Sequence, residues 1–243
     1  MRFPMSSGTK PLVLFDVDGT LLLTAGAGMR AMKRAAAELF GEAFRWDGIV
    51  TAGHLDTLIF AEAAALNAIA DHERHHPSFR RRYLEALADE LERGREGVRA
   101  MPGIHRAIER LRAEDRATLG LLTGNYPEAI PLKFGFVGLD PGWFEITAFA
   151  DDAPTRAGLV EVAIAKHSEM TGRTFDPGFV MIVGDTPRDV DCAHAHGCYA
   201  FGVATGGYDV AALRAAGADR VVANLHDPEP LFEAIAELRS RHA

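Results

Sequence analysis

The stretch PLVLFDVDGTLL, residues 11–22, places two carboxylates at the end of an apolar run. Residues 12–15 predict a buried strand, and Asp16 and Asp18 come directly after it. A buried carboxylate is unfavourable, and two such groups side by side repel each other unless a cation or a shared proton compensates. The stretch therefore predicts a metal site or an acid-base site where a strand ends.

The composition is that of a globular protein with room for one large domain, or for a core domain and a smaller insertion. The chain has 243 residues, of which 48% are hydrophobic and 25% are charged, and this balance argues against a disordered chain. The net charge of -8 disfavours nucleic acids and anionic membranes as partners, because those partners select basic surfaces. We expect a monomer or a homodimer that acts on a small molecule.

Three features predict a cytoplasmic protein. The apolar runs are shorter than the ~18 residues that a membrane span needs, and residues 1–10 lack the apolar core of a signal peptide. Only two cysteines are present, Cys192 and Cys198, so a disulfide framework is not expected. Such sparse cysteine usage fits a reducing compartment.

The second half of the chain alternates between strand and helix patterns. Short apolar runs predict strands at 117–123, 145–149, 179–185, 199–206 and 219–225, with helical patterns between them. This alternation is typical of a parallel sheet that is covered by helices on both faces. The predicted fold class is therefore α/β, with a Rossmann-like, doubly wound parallel sheet as its core.

Between the first strand and the alternating part lies a zone with helical patterns only. We predict helices at 25–41, 53–71 and 77–94, the last beginning at Pro77 and ending at Gly94. Because no strand pattern interrupts this zone, it is predicted to be a helical domain inserted into the sheet domain. The predicted boundaries are 24–97 for the inserted domain and 1–23 with 98–243 for the α/β core.

Three of the predicted strands end in polar residues. The first is followed by Asp16 and Asp18, the second by Thr123, Gly124 and Asn125, and a later one by the run GDTPRD at 184–189. Ligands of open α/β sheets bind where the carboxyl ends of the strands converge. Asp16 and Asp185 could then flank one hard cation, and Mg²⁺ suits a site built from oxygen ligands that also binds phosphate.

These motifs, DVDGT at 16–20, LLTGN at 121–125 and GDTPRD at 184–189, resemble in sequence and order those of the haloacid dehalogenase-like hydrolases. The closest resemblance is to the phosphoglycolate phosphatase-like branch, which has a helical cap. The resemblance implies that Asp16 is a nucleophile that attacks phosphorus and that Asp18 is the acid and base of the two half-reactions. It further implies that Thr123 donates its hydroxyl to the phosphoryl group, and we expect Gly124 and Asn125 to bind substrate.

The same resemblance implies a set of metal ligands and a mobile cap. Asp16, the backbone carbonyl of Asp18 and Asp185 would hold Mg²⁺, with Asp189 as a supporting group. The helical zone at 24–97 would close over the site, exclude water and select the substrate. In its segment GHLD, His54 and Asp56 are candidates for substrate contact, and the alternative for Asp56 is that it caps a helix.

A cation that stabilises the phosphoryl group is expected, and two residues are candidates. Arg156 stands in DDAPTRAGL, close to where related proteins carry a lysine, and Lys133 stands in IPLKFGF after the TGN motif. Either would supply positive charge to an anionic transition state. The alternative for each is a solvated charge on the surface.

The favoured function is an Mg²⁺-dependent phosphatase that acts on a small phosphorylated metabolite such as phosphoglycolate or a sugar phosphate. The main alternative is a sugar phosphomutase, which differs in whether water or a sugar hydroxyl accepts the phosphoryl group. A haloacid dehalogenase is disfavoured because it needs neither Asp18 nor the metal carboxylate Asp185. A non-catalytic binding module is disfavoured because Asp16 and Asp185 are both retained.

Overall fold

The computed structural model describes residues 10–242 and contains a six-stranded parallel sheet. In chain order the strands are β1 (Leu12–Phe15), β2 (Leu22–Leu23), β3 (Arg99–Ala100), β4 (Thr118–Leu122), β5 (Ile146–Ala148), β6 (Val180–Gly184), β7 (Tyr199–Val203) and β8 (Arg220–Val222). The order in the sheet is β5-β4-β1-β6-β7-β8, while β2 and β3 pair separately. Leu12 of β1 lies beside Thr118 of β4 and Val180 of β6.

Nine helices accompany these strands in the described residues. They are α1 (Ala27–Phe40), α2 (Asp56–Leu66), α3 (His72–Arg93), α4 (Ile104–Glu114), α5 (Ala129–Val137), α6 (Arg156–Thr171), α7 (Pro187–Ala195), α8 (Val210–Ala215) and α9 (Glu229–Arg241). Every residue of β1, β4, β6 and β7 is buried, as expected for parallel strands with helices on both faces. The predicted α/β, Rossmann-like class is confirmed. None of the helices in residues 10–242 is long and apolar enough to cross a membrane.

Residues 24–97, called the helical segment below, contain α1, α2 and α3 and lie between β2 and β3 in the chain. These two short strands pair antiparallel, with Leu22 opposite Ala100. The first and third helices pack along each other, and the rings of Phe60 in α2 and Phe79 in α3 stack with their centroids 4.0 Å apart. The segment thus has apolar packing of its own and is connected to the rest of the chain through a pair of short strands that lie side by side.

The predicted start of the third helix is wrong. It begins at His72, and Pro77 lies inside it, where the ring removes one backbone hydrogen bond. Aromatic contacts offset this loss, because His75 packs edge-on against Phe40 at 5.3 Å and His76 lies 5.9 Å from Phe60. The histidines before the proline therefore form part of the helix.

The strand predicted at 199–206 also ends early, at Val203. The Thr205 backbone N–H turns back to the carbonyl of Val203 at 2.8 Å, and the chain then leaves the sheet. This turn directs Gly206 toward the carboxyl end of β6, where it contacts Asp185. The departure from the predicted strand thus brings another loop to the site edge.

Candidate active site

Three neighbouring strands end at the same edge of the sheet. In the order β4-β1-β6, Thr123 follows the first, Asp16 the second and Asp185 the third. All three residues are buried. The predicted convergence of the polar strand ends is therefore what the sheet order produces.

Three carboxylates form a buried cluster at this edge. One oxygen atom each of Asp16, Asp185 and Asp189 lies within 4.8 Å of the others. Asp189 is in the first turn of α7, where its Oδ2 accepts hydrogen bonds from the Thr186 backbone N–H at 3.0 Å and from the Thr186 hydroxyl at 2.7 Å. This capping box fixes the third carboxylate beside the two strand ends.

The Asp185 side chain is tightly enclosed. The Thr20 hydroxyl donates a hydrogen bond to its Oδ1 at 3.1 Å. A Cβ atom at Gly19 would lie 2.4 Å from its Oδ2, and one at Gly206 only 1.7 Å, so both positions require glycine for this close approach. Burial, together with the charges of Asp16 and Asp189, raises the pKa of Asp185 to about 8.

Arg156 lies beside two of these carboxylates. It begins α6, and its Nη2 is 3.0 Å from Asp16 Oδ1 and also contacts Asp189 Oδ1. Burial raises the pKa of Asp16 to about 6, although the guanidinium acts in the opposite direction. Because Arg156 is buried, the alternative that it is a solvated surface charge is wrong.

This cluster fits a hard divalent cation. Its ligand atoms are carboxylate oxygens, which Mg²⁺ prefers. The one guanidinium serves Asp16 and Asp189, while Asp185 has no ion-pair partner among residues 10–242. Burial, and then the repulsion among these carboxylates, raises the pKa of Asp16 and of Asp185, and a bound cation would offset both effects.

Lys133 takes a separate position, beside Asp18. Its Nζ lies 2.5 Å from Asp18 Oδ2 and donates a hydrogen bond to Asn125 Oδ1 at 2.7 Å. The lysine side chain is 3% exposed and the Asp18 side chain 39%, so the lysine is buried while the carboxylate stays accessible. The surface-charge alternative is wrong for Lys133 as well, and the two candidate cations contact different aspartates.

The loop Thr123–Gly124–Asn125 contacts the helical segment as well as the site. The Asp56 backbone N–H donates to the Gly124 carbonyl at 2.7 Å. A Cβ at Gly124 would lie 1.9 Å from the carbonyl oxygen of His54. Glycine is therefore needed here to let the segment approach the strand end.

Asp56 joins the helical segment to the sheet side. Its Oδ2 accepts a hydrogen bond from the Tyr126 backbone N–H at 3.1 Å. It is the first residue of α2 but makes no capping bond, since the N-cap residue is Leu55, so the alternative of helix capping is wrong. Burial raises the pKa of Asp56 to about 7, an effect that Lys133 counteracts.

His54 points its imidazole toward a neighbour within the helical segment. Its Nε2 lies 2.8 Å from Glu62 Oε1, and its side chain is 16% exposed. Both His54 and Asp56 nevertheless line the cavity above the carboxylates. Their role as substrate contacts stays a prediction.

A cavity of about 230 Å³ lies between the strand ends and the helical segment. It is smaller than the ~300–1,000 Å³ of pockets that hold drug-sized ligands, so it suits a small metabolite. The sheet side contributes Asp16, Asp18, Thr123, Gly124, Asn125, Lys133, Arg156, Asp185 and Thr186, and the helical segment contributes Thr24, Gly26, Gly28, Met29, Met32, Thr51, Ala52, Gly53, His54, Asp56, Ile59 and Tyr83.

Several residues in or beside the site could not be recognised as site residues from the sequence. Met29, Met32, Ile59 and Tyr83 lie on helical faces that read as ordinary core positions. The contact of Gly206 with Asp185 depends on how a loop folds back. Thr20 is the exception, because it is the last residue of the DVDGT motif.

The match to a protein family covers most of the chain. The profile of a family described as haloacid dehalogenase-like hydrolase matches residues 13–203. No curated protein sequence is significantly similar to the chain.

Solved structures with low sequence identity share the fold. A hydrolase from Pseudomonas syringae is 21% identical with a TM-score of 0.68, and the match covers 93% of this chain and 99% of that one. CbbY from Rhodobacter sphaeroides, solved with phosphate, is 20% identical with a TM-score of 0.68, covering 90% and 96%. A predicted phosphoglycolate phosphatase from Haemophilus somnus is 18% identical with a TM-score of 0.64, covering 93% and 100%.

Proposed function

Because the chain belongs to the haloacid dehalogenase-like hydrolases, we propose that it is an Mg²⁺-dependent phosphatase that acts on a small phosphorylated metabolite through an aspartyl phosphate on Asp16. The observation that carries the proposal is that four aspartates lie together at one edge of the sheet. Asp16 lies in a cluster with Asp185 and Asp189, and Asp18 faces the same cavity.

The buried carboxylates account for metal binding in this proposal. Asp16, Asp185 and the backbone carbonyl of Asp18 would hold Mg²⁺, and Asp189 would support them through its contacts with Thr186 and Arg156. When bound, the ion supplies positive charge that offsets the carboxylates and the phosphoryl oxygens.

In the first half-reaction the Asp16 carboxylate forms a bond to phosphorus while the bond from phosphorus to the leaving oxygen breaks. Asp18 gives its proton to that oxygen, so the product leaves as an alcohol. The position of Arg156 next to Asp16 supports a role in compensating the charge of the phosphoryl group. Thr123 and Asn125 border the same cavity and would orient the substrate.

In the second half-reaction Asp18 takes a proton from water. The water oxygen bonds to phosphorus, the bond to Asp16 breaks, and inorganic phosphate leaves while the Asp16 carboxylate is regenerated. The accessible Asp18 side chain supports this role, and its contact with Lys133 holds the carboxylate in place.

The helical segment would act as the cap of the enzyme, with residues 24–97 as one domain and 1–23 and 98–243 as the other. Its support is the direct docking of Asp56 and His54 on the Gly124 loop, which encloses the cavity from above. Opening and closing of this contact would admit substrate and exclude water. A cytoplasmic location is part of the proposal, supported by the two unpaired thiols Cys192 and Cys198.

Metal dependence tests the proposed function directly. With acetyl phosphate or p-nitrophenyl phosphate as substrate, excess chelator should abolish phosphate release and added Mg²⁺ should restore it. Ca²⁺ should inhibit, because it disturbs the near-octahedral geometry that Mg²⁺ requires. Full hydrolysis in excess chelator would contradict the proposal.

Product analysis separates the phosphatase from a phosphomutase. A phosphatase releases inorganic phosphate from glucose 1-phosphate or leaves that sugar unchanged. A phosphomutase instead converts it to glucose 6-phosphate with little net release of phosphate. Conversion to glucose 6-phosphate would show that the same residues transfer the phosphoryl group to a sugar hydroxyl and not to water.

A further inference from the structure

Tyr83 of α3 brings a hydroxyl group to the cavity from the helical segment. The residue is 1% exposed. Its ring packs against Phe79, whose ring is nearly parallel with its centroid 6.4 Å away, and against Tyr126, whose ring centroid is 5.8 Å away. A Cβ atom at Gly28, another cavity residue, would lie 3.9 Å from the hydroxyl oxygen. The phenol is therefore fixed with its polar end at the cavity wall.

The Tyr83 hydroxyl has no hydrogen-bond partner within residues 10–242, although its side chain is buried. The neighbouring Tyr126 differs, because its hydroxyl lies 2.8 Å from His76 Nε2. The Tyr83 hydroxyl oxygen is not among the fully enclosed polar atoms that lack a partner, so it stays accessible from the cavity. Burial and the charges of Asp56 and Asp18 raise the pKa of the Tyr83 phenol, so it stays a neutral donor that faces the acidic side of the cavity.

The cavity offers no free cation to the part of a substrate that lies beyond the phosphoryl group. Among the described residues that line it, the positive ones are Lys133, which pairs with Asp18, and Arg156, which pairs with Asp16 and Asp189. Both belong to the sheet side. A carboxylate on the leaving group would find no unpaired cation on the wall supplied by the helical segment, and burying it without a partner is costly.

The wall supplied by the helical segment is partly apolar. Met29, Met32 and Ile59 line it together with Tyr83. Such a wall suits the carbon chain of a small leaving group, and the phenol adds one hydrogen bond. It does not offer the ionic contacts that a second charged group requires.

We propose that the Tyr83 hydroxyl hydrogen-bonds the leaving group of the substrate, and that this group is a short uncharged alcohol carrying a further oxygen. The substrate is then the monophosphate ester of a neutral alcohol, and not a phosphorylated carboxylic acid or a bisphosphate. This assignment rests on the phosphatase function proposed above. Tyr83 acts as a specificity residue that contacts the substrate away from the reacting atoms.

Three esters with the same three-carbon chain test the assignment. Glycerol 3-phosphate has a neutral leaving group with further hydroxyls, 3-phosphoglycerate carries a carboxylate, and n-propyl phosphate has no further oxygen. We expect kcat/KM for glycerol 3-phosphate to exceed that for 3-phosphoglycerate at least about tenfold, because a carboxylate without a cationic partner is strongly unfavourable in a desolvated site. Turnover of acetyl phosphate reports whether the protein has phosphatase activity at all.

Removal of the hydroxyl gives the second readout. Tyr83→Phe should lower kcat/KM for glycerol 3-phosphate about two- to tenfold and leave n-propyl phosphate unchanged. Its Tm should stay the same or rise, because no protein hydrogen bond is lost. Tyr126→Phe is the matched control: it should lower Tm through the lost bond to His76 without changing the ratio between the two esters.

The results distinguish a failure of the phosphatase function from a failure of the assignment of Tyr83 alone. No turnover of acetyl phosphate or of the three esters would overturn the phosphatase function and this assignment with it. Turnover of acetyl phosphate with 3-phosphoglycerate hydrolysed as fast as glycerol 3-phosphate would overturn the assignment alone. Equal losses for glycerol 3-phosphate and n-propyl phosphate in Tyr83→Phe, or a clear drop in its Tm, would show that the hydroxyl supports the fold instead.

Discussion

Replacing Asp185 by Asn should stabilise the metal-free protein while removing Mg²⁺-dependent activity. Asn is nearly isosteric and its Oδ1 can still accept the hydrogen bond from Thr20. What disappears is an ionisable group whose charged form is disfavoured first by burial and then by the neighbouring charges of Asp16 and Asp189. The change therefore removes the cost of either protonating this carboxyl or keeping it charged in the buried site, at the expense of a metal ligand.

The magnitude follows from the raised pKa of Asp185, about 8 in the folded protein against an ordinary value of 3.8. Over this interval the native state binds more protons than the unfolded state, so its stability falls as the pH rises. At pH 7 roughly three pH units lie above the unfolded value, and each is worth ~1.4 kcal/mol. Asp185→Asn should thus raise the free energy of unfolding by ~4 kcal/mol at pH 7, and by only ~2 kcal/mol at pH 5, where about one unit remains.

Urea unfolding of both proteins in excess chelator measures the increase in the free energy of unfolding at pH 5 and at pH 7. Asp191→Asn is the matched control, because that carboxylate is exposed on the same helix, α7, and should change stability by less than ~0.5 kcal/mol. Added Mg²⁺ should stabilise the wild type and have little effect on Asp185→Asn. An Asp185→Asn protein that is no more stable than wild type at pH 7 would refute the account that burial and the neighbouring carboxylates make a charged Asp185 unfavourable.

Three further changes have defined outcomes. Gly124→Ala should lower both Tm and activity, because its Cβ would lie 1.9 Å from the His54 carbonyl oxygen. Gly135→Ala is the control: it has open space around it in α5 and should be neutral or stabilising by up to ~1 kcal/mol. Equal effects of the two substitutions in thermal melts would contradict the contact between the Gly124 loop and the helical segment. His167 is buried beside Phe175, and neither of its ring nitrogens has a partner among the described residues. Burial lowers the pKa of His167, so the folded protein should lose stability as the pH falls below ~6.5, where the unfolded chain takes up the proton first. In His167→Leu this part of the pH dependence should vanish in urea titrations between pH 5 and 8, and its persistence would rule out His167 as the source. Asp18→Asn should slow hydrolysis by about 10²- to 10⁴-fold for alkyl phosphates and less for p-nitrophenyl phosphate, whose product departs without a proton; equal rate losses would mean that Asp18 is not the acid.

The fold was predictable where the sequence pattern is long and periodic. The strands of the sheet are apolar runs bounded by glycine or charge, and the predicted alternation matches the observed elements. Strands β2 and β3 contain two residues each, too few to make a pattern, so the antiparallel pair at the base of the helical segment was not predicted. The start of α3 was misplaced because tertiary contacts of His75 and His76 outweigh the local effect of Pro77.

The site was predictable where its residues are adjacent in sequence to strand ends. Asp16, Thr123 and Asp185 each follow a strand, and the sheet order alone brings them together. The sequence left Arg156 and Lys133 as alternatives because both lie on helices, whose orientation depends on packing. Tyr83 was missed for the same reason, since a buried aromatic residue on a helix is normally part of the core.

Trapping of the phosphorylated enzyme tests the central claim most directly. The protein is mixed with Mg²⁺ and a radioactively labelled phosphate ester, quenched in acid within one turnover, digested, and the labelled peptide is sequenced. The account predicts a label on Asp16 that hydroxylamine removes, as expected of an acyl phosphate, and no label in Asp16→Asn. Rapid release of phosphate without any labelled protein, or a label on a residue other than Asp16, would contradict it.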